Sequence, residues 1–425
     1  GSRGADQAGG PVLAKCSERD LGRSAFETRP PLTYRRRAFP WRDAASSVAL
    51  TNARMYSVCW PPVPPTLTSS PPRRLLVTTP TLFCKTESLA MGLASWHTML
   101  MLLHACSSAA PLLHGMQLAL TLAQQLAVGT QAPHVIMVTC GAVAFSDATS
   151  GAAHGGAWGF ARVVRLEHAA LRTQSADIAR GERLVASAVL LSPTPEAEAA
   201  WSGNVHGVAR LRACTWSSSK PNASLAAGAY AITGGLGGLG LCAAKMLVDN
   251  GSSRVLLASR SGHVVRDGQG LAAQLQSLGV AAAVIAGDSA CTCDATALVS
   301  ACSLVVGVLH AAGAGDKGLL TEVDAQRVQW MYGPKAMGAW YLQCAAVTAP
   351  LETRVLFSSV GSGLGNVGQA NYAAGNACLD SHALSLRASG TVACSLQWPL
   401  VGGAGMGAAA FAALGERQVA IAGLA

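Results

Sequence analysis

The chain has 425 residues, half of them hydrophobic and 12% charged, with a formal net charge of +9. That composition excludes a chain disordered in bulk, and at roughly 150 residues per domain it leaves room for two or three domains. Thirteen cysteines without any C-x-x-C, and ten histidines in no ligand pattern, exclude a disulfide framework and a metal site and predict reduced thiols in an intracellular, cytoplasmic protein.

Residues 1–50 are polar, basic and proline-bearing, and read as a linker. Arg35-Arg36-Arg37 lies in it, and much of the basic excess falls before residue 75. Such a run suits a solvated face or an acidic partner, and nothing in it singles out nucleic acid. The chain does not begin with methionine and shows no signal peptide, so it reads as a fragment of something longer. Met55 to Trp60 alternates as a strand, Pro61 to Pro72 is a proline-rich loop, and Arg74 to Thr78 reads as a second strand. Helices are expected near 87–105 and 112–127. The apolar stretch Ser88 to His104 is too short to span a membrane and reads as a core helix. Val135 to Thr139 reads as a buried strand and Gly156 to His168 as a helix. Residues 51–226 thus alternate strand and helix, which predicts a parallel sheet. They hold no glycine fingerprint and no catalytic-looking tyrosine or lysine. The polar stretch Thr215 to Ser224 marks a boundary.

A second series fills 227–404. Ala229-Tyr-Ala-Ile-Thr-Gly-Gly-Leu-Gly-Gly-Leu-Gly240 reads as a strand, a glycine turn and the start of a helix running through Leu241 to Val248. Gly235, Gly237 and Gly240 have the G-x-G-x-x-G spacing that seats a pyrophosphate on a helix N-terminus. Further strands are expected at Val255–Ala258, Val280–Ala286, Leu304–Leu309, Arg354–Phe357 and Val392–Gln397. Helices are expected at Gly270–Leu278, Glu322–Ala346 and Asn371–Ala388. The fold class is α/β with parallel sheets: a first half without a site, then a series in the order of a doubly wound dinucleotide fold. Residues 405–425 read as a tail.

Arg260 stands about 20 residues past Gly240, where an acidic residue would select NAD and an arginine suits the 2′-phosphate of NADP. Ser261 can add a hydroxyl. Asp288 and Ser289 end the third strand at the adenine edge, with Asp294 competing for that place. His310, Ala311, Ala312 and Gly313 end the fourth strand. There small residues let the backbone pass close to a cofactor, and His310 reads as a structural hydrogen-bonder. Ser358 and Ser359 end the fifth strand. Tyr372 and Asn376, at i and i+4, share a helix face. A tyrosine can protonate the alkoxide left by hydride transfer when a cation eases its proton release. Lys335 is the candidate cation and can hold a ribose. A serine hydroxyl can hold the substrate carbonyl.

These residues resemble a known family. Thr233 to Gly240 is similar to the T-G-x-x-x-G-x-G turn of short-chain dehydrogenase/reductases. Where most of that superfamily has Y-x-x-x-K, this chain has Asn376 four residues after Tyr372, and its lysine is Lys335 in Pro334-Lys-Ala-Met-Gly338. That exchange resembles the ketoreductase domains of modular polyketide synthases and animal-type fatty acid synthases. So do Gly368 to Asp380 and His310-Ala-Ala-Gly313. Met55 to Trp60 and Trp158-Gly-Phe-Ala-Arg-Val-Val-Arg-Leu-Glu-His168 resemble that family's structural subdomain. The likeness implies two tandem Rossmann-like subdomains with doubly wound parallel sheets, the first truncated and without a cofactor. Leu32 to Trp41 resembles the linker from a preceding synthase region.

The resemblance implies a β-ketoacyl reductase. Tyr372 would donate the proton, Ser359 polarise the keto oxygen, Lys335 tune the tyrosine and bind ribose, and Asn376 complete the relay. Thr233, Gly234, Gly235, Leu236, Gly237, Gly238, Leu239 and Gly240 would cradle the pyrophosphate of NADPH. Ser259, Arg260 and Ser261 would take its 2′-phosphate side, and Pro399 and Leu400 would flank the nicotinamide. The implied partners are an acyl carrier protein bearing a phosphopantetheine-linked β-ketoacyl chain and further synthase domains. A fatty acid synthase reductase and a redox-inactive scaffold domain are the alternatives. Lys317 and Leu364 stand where the family's two stereochemical markers would, so neither alcohol configuration is implied. The segment Gly287 to Ser303 is short against the family, which bears on the adenine side.

Overall fold

The computed structural model describes residues 55–59, 62–63, 75–79, 97–103, 110–129, 133–143, 152–179, 196–202, 205–214, 225–226, 228–266, 269–401 and 406–407. The expected linker, most of the Pro61–Pro72 loop, the boundary Thr215 to Ser224 and nearly all of the tail lie outside these residues.

The first half runs β1 (Met55–Cys59), β2 (Pro62–Val63), β3 (Leu75–Thr78), β4 (Thr98–Leu103), α1 (Leu113–Ala127), β5 (His134–Cys140), α2 (Gly156–Glu167), β6 (Gln174–Ile178), β7 (Glu198–Ser202), β8 (Val205–Val208) and β9 (Arg210–Cys214). Seven strands form one sheet in the order β2-β8-β7-β6-β5-β4-β3, and β1 and β9 form a separate antiparallel ribbon. Strands β3 to β7 are parallel, while β8 and β2 close the edge antiparallel. The sheet is therefore mixed rather than wholly parallel.

One expectation is corrected here. Thr98–Leu103 is a strand inside the sheet, not part of a helix over 87–105. Met99, Leu100, Met101 and Leu103 are all buried. A strand covered on both faces carries the same unbroken apolar run as a core helix, so periodicity cannot separate them. Strand β6 escaped the sequence reading because Gln-Ser-Ala-Asp-Ile looks polar. Its Asp177 is buried and accepts from Thr139 Oγ1 (2.6 Å) and from the Ala142 and Val143 N–H groups (2.9 and 3.1 Å).

The second half runs β10 (Ala229–Thr233), α3 (Gly238–Asp249), β11 (Arg254–Ser259), α4 (Leu271–Ser277), β12 (Ala282–Ala286), α5 (Thr292–Ser300), β13 (Val305–His310), α6 (Ala325–Tyr332), α7 (Gly338–Ala345), β14 (Thr353–Ser359), α8 (Val360–Leu364), α9 (Ala370–Ala388) and β15 (Cys394–Trp398). Its six strands are all parallel, in the order β12-β11-β10-β13-β14-β15. The order reverses between β10 and β13, and such a reversal opens a crevice at the carboxyl ends of the strands. In the first sheet the parallel strands β3 to β7 follow one another without a reversal.

The single helix expected over Glu322–Ala346 is broken. Asp324 caps α6, its Oδ1 accepting from the Arg327 N–H at 2.7 Å. Gly333–Met337 then forms a π turn, with the Gly338 N–H reaching back to the Gly333 carbonyl. Pro334 supplies no N–H to the ladder here, and such widened turns often mark functional positions.

The halves share one core. Phe160, Val163 and Val164 of α2 pack in one cluster with Tyr332, Ala336, Ala370, Ala373 and Ala374. Where α2 crosses α9, a Cβ on Gly159 would overlap the Ala373 carbonyl oxygen. Among the described residues no helix is long and apolar enough to cross a membrane. None of their histidine, cysteine and acidic side chains cluster in a way that could hold a metal. Cys291 and Cys293, the closest pair in sequence, are free thiols.

Candidate active site

The glycine turn lies at the reversal, between β10 and α3. Gly234 has φ +65°, and a Cβ there would stand 2.7 Å from the Ala311 carbonyl carbon and the Ala312 nitrogen, where the end of β13 passes over the turn. At Gly240 a Cβ would overlap the Gly234 carbonyl oxygen. No side chain caps α3, and its first turn holds no acidic residue. The N–H groups of Gly238, Leu239 and Gly240, with the positive dipole end, fit the pyrophosphate of a dinucleotide. Leu236 is buried against the core of the half, with Leu239 packed beside it.

Arg260 and Ser261 are exposed at the turn after β11, with Ser259 half-buried beside them. The Ser261 hydroxyl turns to the His263 carbonyl at 2.8 Å. At the end of β12 the two acidic candidates have different surroundings. Asp294 folds back so that its Oδ2 accepts from the Asp288 N–H at 2.8 Å, while Asp288 Oδ1 takes the Ala290 N–H at 2.9 Å. Ser289 Oγ lies 3.5 Å from the Pro334 carbonyl, next to the π turn.

His310 is fully buried and both ring nitrogens are taken. Nε2 lies 3.0 Å from the Lys335 carbonyl, which can only accept, so Nε2 carries the proton. Nδ1 then accepts from the Thr233 hydroxyl at 2.8 Å. Burial, reinforced by the Lys335 charge, holds its pKa down to about 3. Its side chain ties β10 to the π turn, and the backbone of Ala311 and Ala312 that follows lies against the glycine turn.

Lys335 is 4% exposed, and Nζ donates to the Phe357 carbonyl at 2.8 Å. The side chain lies over Gly313, where any Cβ would collide with its Cε. Burial lowers its pKa to about 8, with Asp380 pulling the other way. Two residues beyond Phe357, Ser359 is half-buried. Its Oγ accepts from the Gly361 N–H at 3.2 Å as the cap of α8, which leaves its own proton to donate. Ser358 instead points inward, and its hydroxyl donates to the Asn376 carbonyl at 3.2 Å. Of the two serines, Ser359, the one the resemblance named, is the one whose hydroxyl proton has no acceptor among the described residues.

Tyr372 is half-buried in the first turn of α9, and its hydroxyl makes no hydrogen bond with the described residues. Asn376 is fully buried. Its Nδ2 donates to the Tyr372 carbonyl at 2.9 Å, and its Oδ1 has no partner. Gly375, on the same helix, brings α9 against Lys335: a Cβ there would stand 3.6 Å from the Lys335 Cβ. Pro399 is exposed and Leu400 half-buried just after β15.

Sequence reasoning missed the supports of this site. Asp316 pairs with Arg327 through both carboxylate oxygens (3.1 and 2.6 Å), and its Oδ2 also accepts from Asn371 Nδ2 at 2.6 Å. Asp380 accepts from Ser362, Ser395 and Gln397 at 2.6, 2.6 and 2.8 Å. From the first half, Arg162 donates to the Ser362 carbonyl at 2.6 Å while Glu198 holds its Nε. Gln124 donates to the Leu320 and Val323 carbonyls at 2.9 and 2.7 Å. Glu167 accepts from the Gly368 and Leu320 N–H groups. One signal was available: an acidic residue closing α2 sits unfavourably on the negative dipole end and asks for partners beyond its helix.

Residues 228–403 match the model of the KR domain family. Over 203 residues the chain is 38% identical to the spectinabilin polyketide synthase system protein NorB of Streptomyces orinoci, which covers 47% of this chain and 9% of that protein. Over 224 residues it is 38% identical to the 6-methylsalicylic acid synthase of Aspergillus niger, covering 49% of this chain and 13% of that one. The chain thus spans a small part of the length of these relatives. Among solved structures it is similar to an A-type ketoreductase from a modular polyketide synthase (TM-score 0.70, 26% identity, 84% of each chain). It is also similar to the first ketoreductase of the tylosin synthase (TM-score 0.68, 27% identity, 87% of this chain and 85% of that one).

Proposed function

Residues 228–403 belong to the ketoreductase family found in polyketide synthases, and from that premise we propose that this chain reduces the β-keto group of an acyl thioester to the β-hydroxy thioester with NADPH. The substrate is a chain carried on the phosphopantetheine arm of an acyl carrier protein. Residues 51–226 are the structural part and 227–404 the catalytic part. The observation that carries this reading is the buried Lys335, held on the carbonyl of Phe357, two residues before Ser359, and packed against the helix of Tyr372 and Asn376.

When bound, NADPH would supply the hydride that adds to the β-carbon. Ser359, its oxygen already accepting from Gly361, keeps its own proton and donates a hydrogen bond to the keto oxygen, which draws electron density from the carbon. Tyr372 gives its proton to the same oxygen as charge develops there. Lys335 has one N–H committed to Phe357 and further donors for the nicotinamide ribose and for the tyrosine oxygen, whose anion its charge stabilises. The unpartnered Asn376 Oδ1 is an acceptor for a water that returns the proton to Tyr372. Gly234 to Gly240 hold the pyrophosphate and Arg260 the 2′-phosphate. The acidic surface expected of a carrier protein suits a chain of net charge +9. The neighbours of this chain would be further synthase domains, as the far greater length of its relatives suggests.

The test is loss of NADPH absorbance with a β-ketoacyl N-acetylcysteamine thioester, run beside Tyr372→Phe. Turnover in the wild type with a drop of about 100-fold or more in the variant supports the reductase. NADPH binding without turnover, with a carrier-bound substrate also refused, moves the assignment to a scaffold domain.

A further inference from the structure

The carboxylate of Glu167 reaches out of the first half to both loops that frame the candidate site. Oε1 accepts from the Gly368 N–H and Oε2 from the Leu320 N–H, each at 2.7 Å. The two loops are also joined to each other. The Gly318 N–H donates to the Gly368 carbonyl at 2.9 Å, and Gly318 bridges in parallel to Gln369. A closed ring results: Glu167, Gly368, Gly318, Leu320 and back to Glu167.

Each side of that ring leads to a reacting group. Gly368 has φ +75° and is followed by Gln369, the cap of α9, with Tyr372 three residues further on. The other side runs from Gly313, which lies under Lys335, through Asp316, which holds Asn371 beside Tyr372. Among the described residues, no hydrogen bond joins the glycine turn or Arg260 to the ring. A carboxylate with two oxygens is the one side chain here that can accept from both loops at once.

We propose that Glu167 is a positioning residue: from the half without the glycine turn it sets the N-terminus of α9, and so the Tyr372 hydroxyl, relative to the loop that follows Gly313. This rests on the reductase reading above. Replacing Glu167 by glutamine leaves one acceptor oxygen and turns an NH₂ group toward an N–H. One of the two loops is then released while the fold's core is untouched. Because orientation of the proton donor acts in the transition state, the loss falls on kcat.

The experiment uses the full chain, with NADPH and a β-ketoacyl N-acetylcysteamine thioester, and compares wild type, Glu167→Gln and Asp177→Asn. Asp177 is buried in the same half, and its carboxylate is bonded to Thr139, Ala142 and Val143 rather than to either loop. Glu167→Gln is expected to lower kcat by about 10- to 100-fold, with NADPH affinity within about twofold and faster amide exchange in peptides spanning 318–320 and 368–370. Asp177→Asn, assayed where it remains folded, is expected to keep kcat while losing thermal stability. If Glu167→Gln does not fold, Glu167→Asp, which keeps the charge and shortens the reach, is read the same way. Unchanged kcat in a folded Glu167 variant overturns the proposal, and so does an equal loss in Asp177→Asn. In both cases an active wild type leaves the reductase reading standing. A wild type that binds NADPH and reduces nothing overturns both.

Discussion

The Lys335 ammonium and the Phe357 carbonyl oxygen meet at 2.8 Å beneath the site, with Lys335 almost wholly buried. One backbone carbonyl does not replace the water a cation gives up, and burial lowers its pKa to about 8. The lysine therefore costs stability while it is charged. Its folded pKa lies below its unfolded one, so the unfolded chain binds more protons between about pH 8 and 10.5, and stability from this group rises with pH through that window. Lys335→Met is expected to be inactive. Its stability relative to wild type should be more favourable at pH 7 than at pH 9.5, by about 2 kcal/mol. Urea unfolding at the two pH values measures this, and an equal difference at both would show that the lysine is not desolvated as described.

Ser359 does two jobs that can be separated. Its oxygen caps α8 through Gly361, and its proton is available to a substrate. Ser359→Ala is expected to lose about 1 kcal/mol of stability from the cap and about 100- to 1000-fold in kcat from the lost donor. Ser359→Thr keeps both groups and should recover the stability and part of the rate. A Ser359→Ala protein that is less stable but fully active would remove the serine from the chemistry.

Arg260 is exposed at the turn after β11, free to meet a phosphate. A charge-assisted hydrogen bond contributes about 1.5–3 kcal/mol, so Arg260→Ala should weaken NADPH binding by about 10- to 100-fold. NADH has no 2′-phosphate, and its binding should barely change. Titrating both cofactors by fluorescence decides it; equal losses for the two would place Arg260 elsewhere.

His382 is buried beside Trp340 with neither ring nitrogen bonded, and burial holds its pKa down to about 4. It must stay neutral to remain folded, so stability falls as pH drops from about 6.5 toward 4, where the unfolded chain takes the proton first. His310 acts in the same direction down to about pH 3. His382→Phe should lose about 2 kcal/mol less than wild type between pH 7 and pH 5. Parallel stability curves for the two proteins over that range would show that the imidazole is not the group that titrates.

Several of these features were legible before any fold was seen. The glycine spacing at 235, 237 and 240 requires a turn without side chains, and Gly240 in the structure has its place taken by the Gly234 carbonyl. The pairing of Tyr372 with Asn376 follows from helix geometry alone. Other features depended on distance in space. Thr98–Leu103 has the composition of a core helix, and only its neighbours on both sides make it a strand. Beyond Pro334, no local pattern near Lys335 announces a π turn, and the His310 ring that donates to the Lys335 carbonyl lies 25 residues away in the chain.

By itself, the sequence determined the α/β alternation of the second half, the glycine turn at the end of that half's first strand, and the residue types able to move a proton and hold a phosphate. Those properties are local: they follow from periodicity, from backbone freedom and from the chemistry of single side chains. Only the tertiary structure decided which serine keeps a free proton, that Lys335 is desolvated, and that Glu167 in one half holds the loops of the other. These depend on burial and on bonds between residues far apart in the chain, and no spacing along a sequence encodes them.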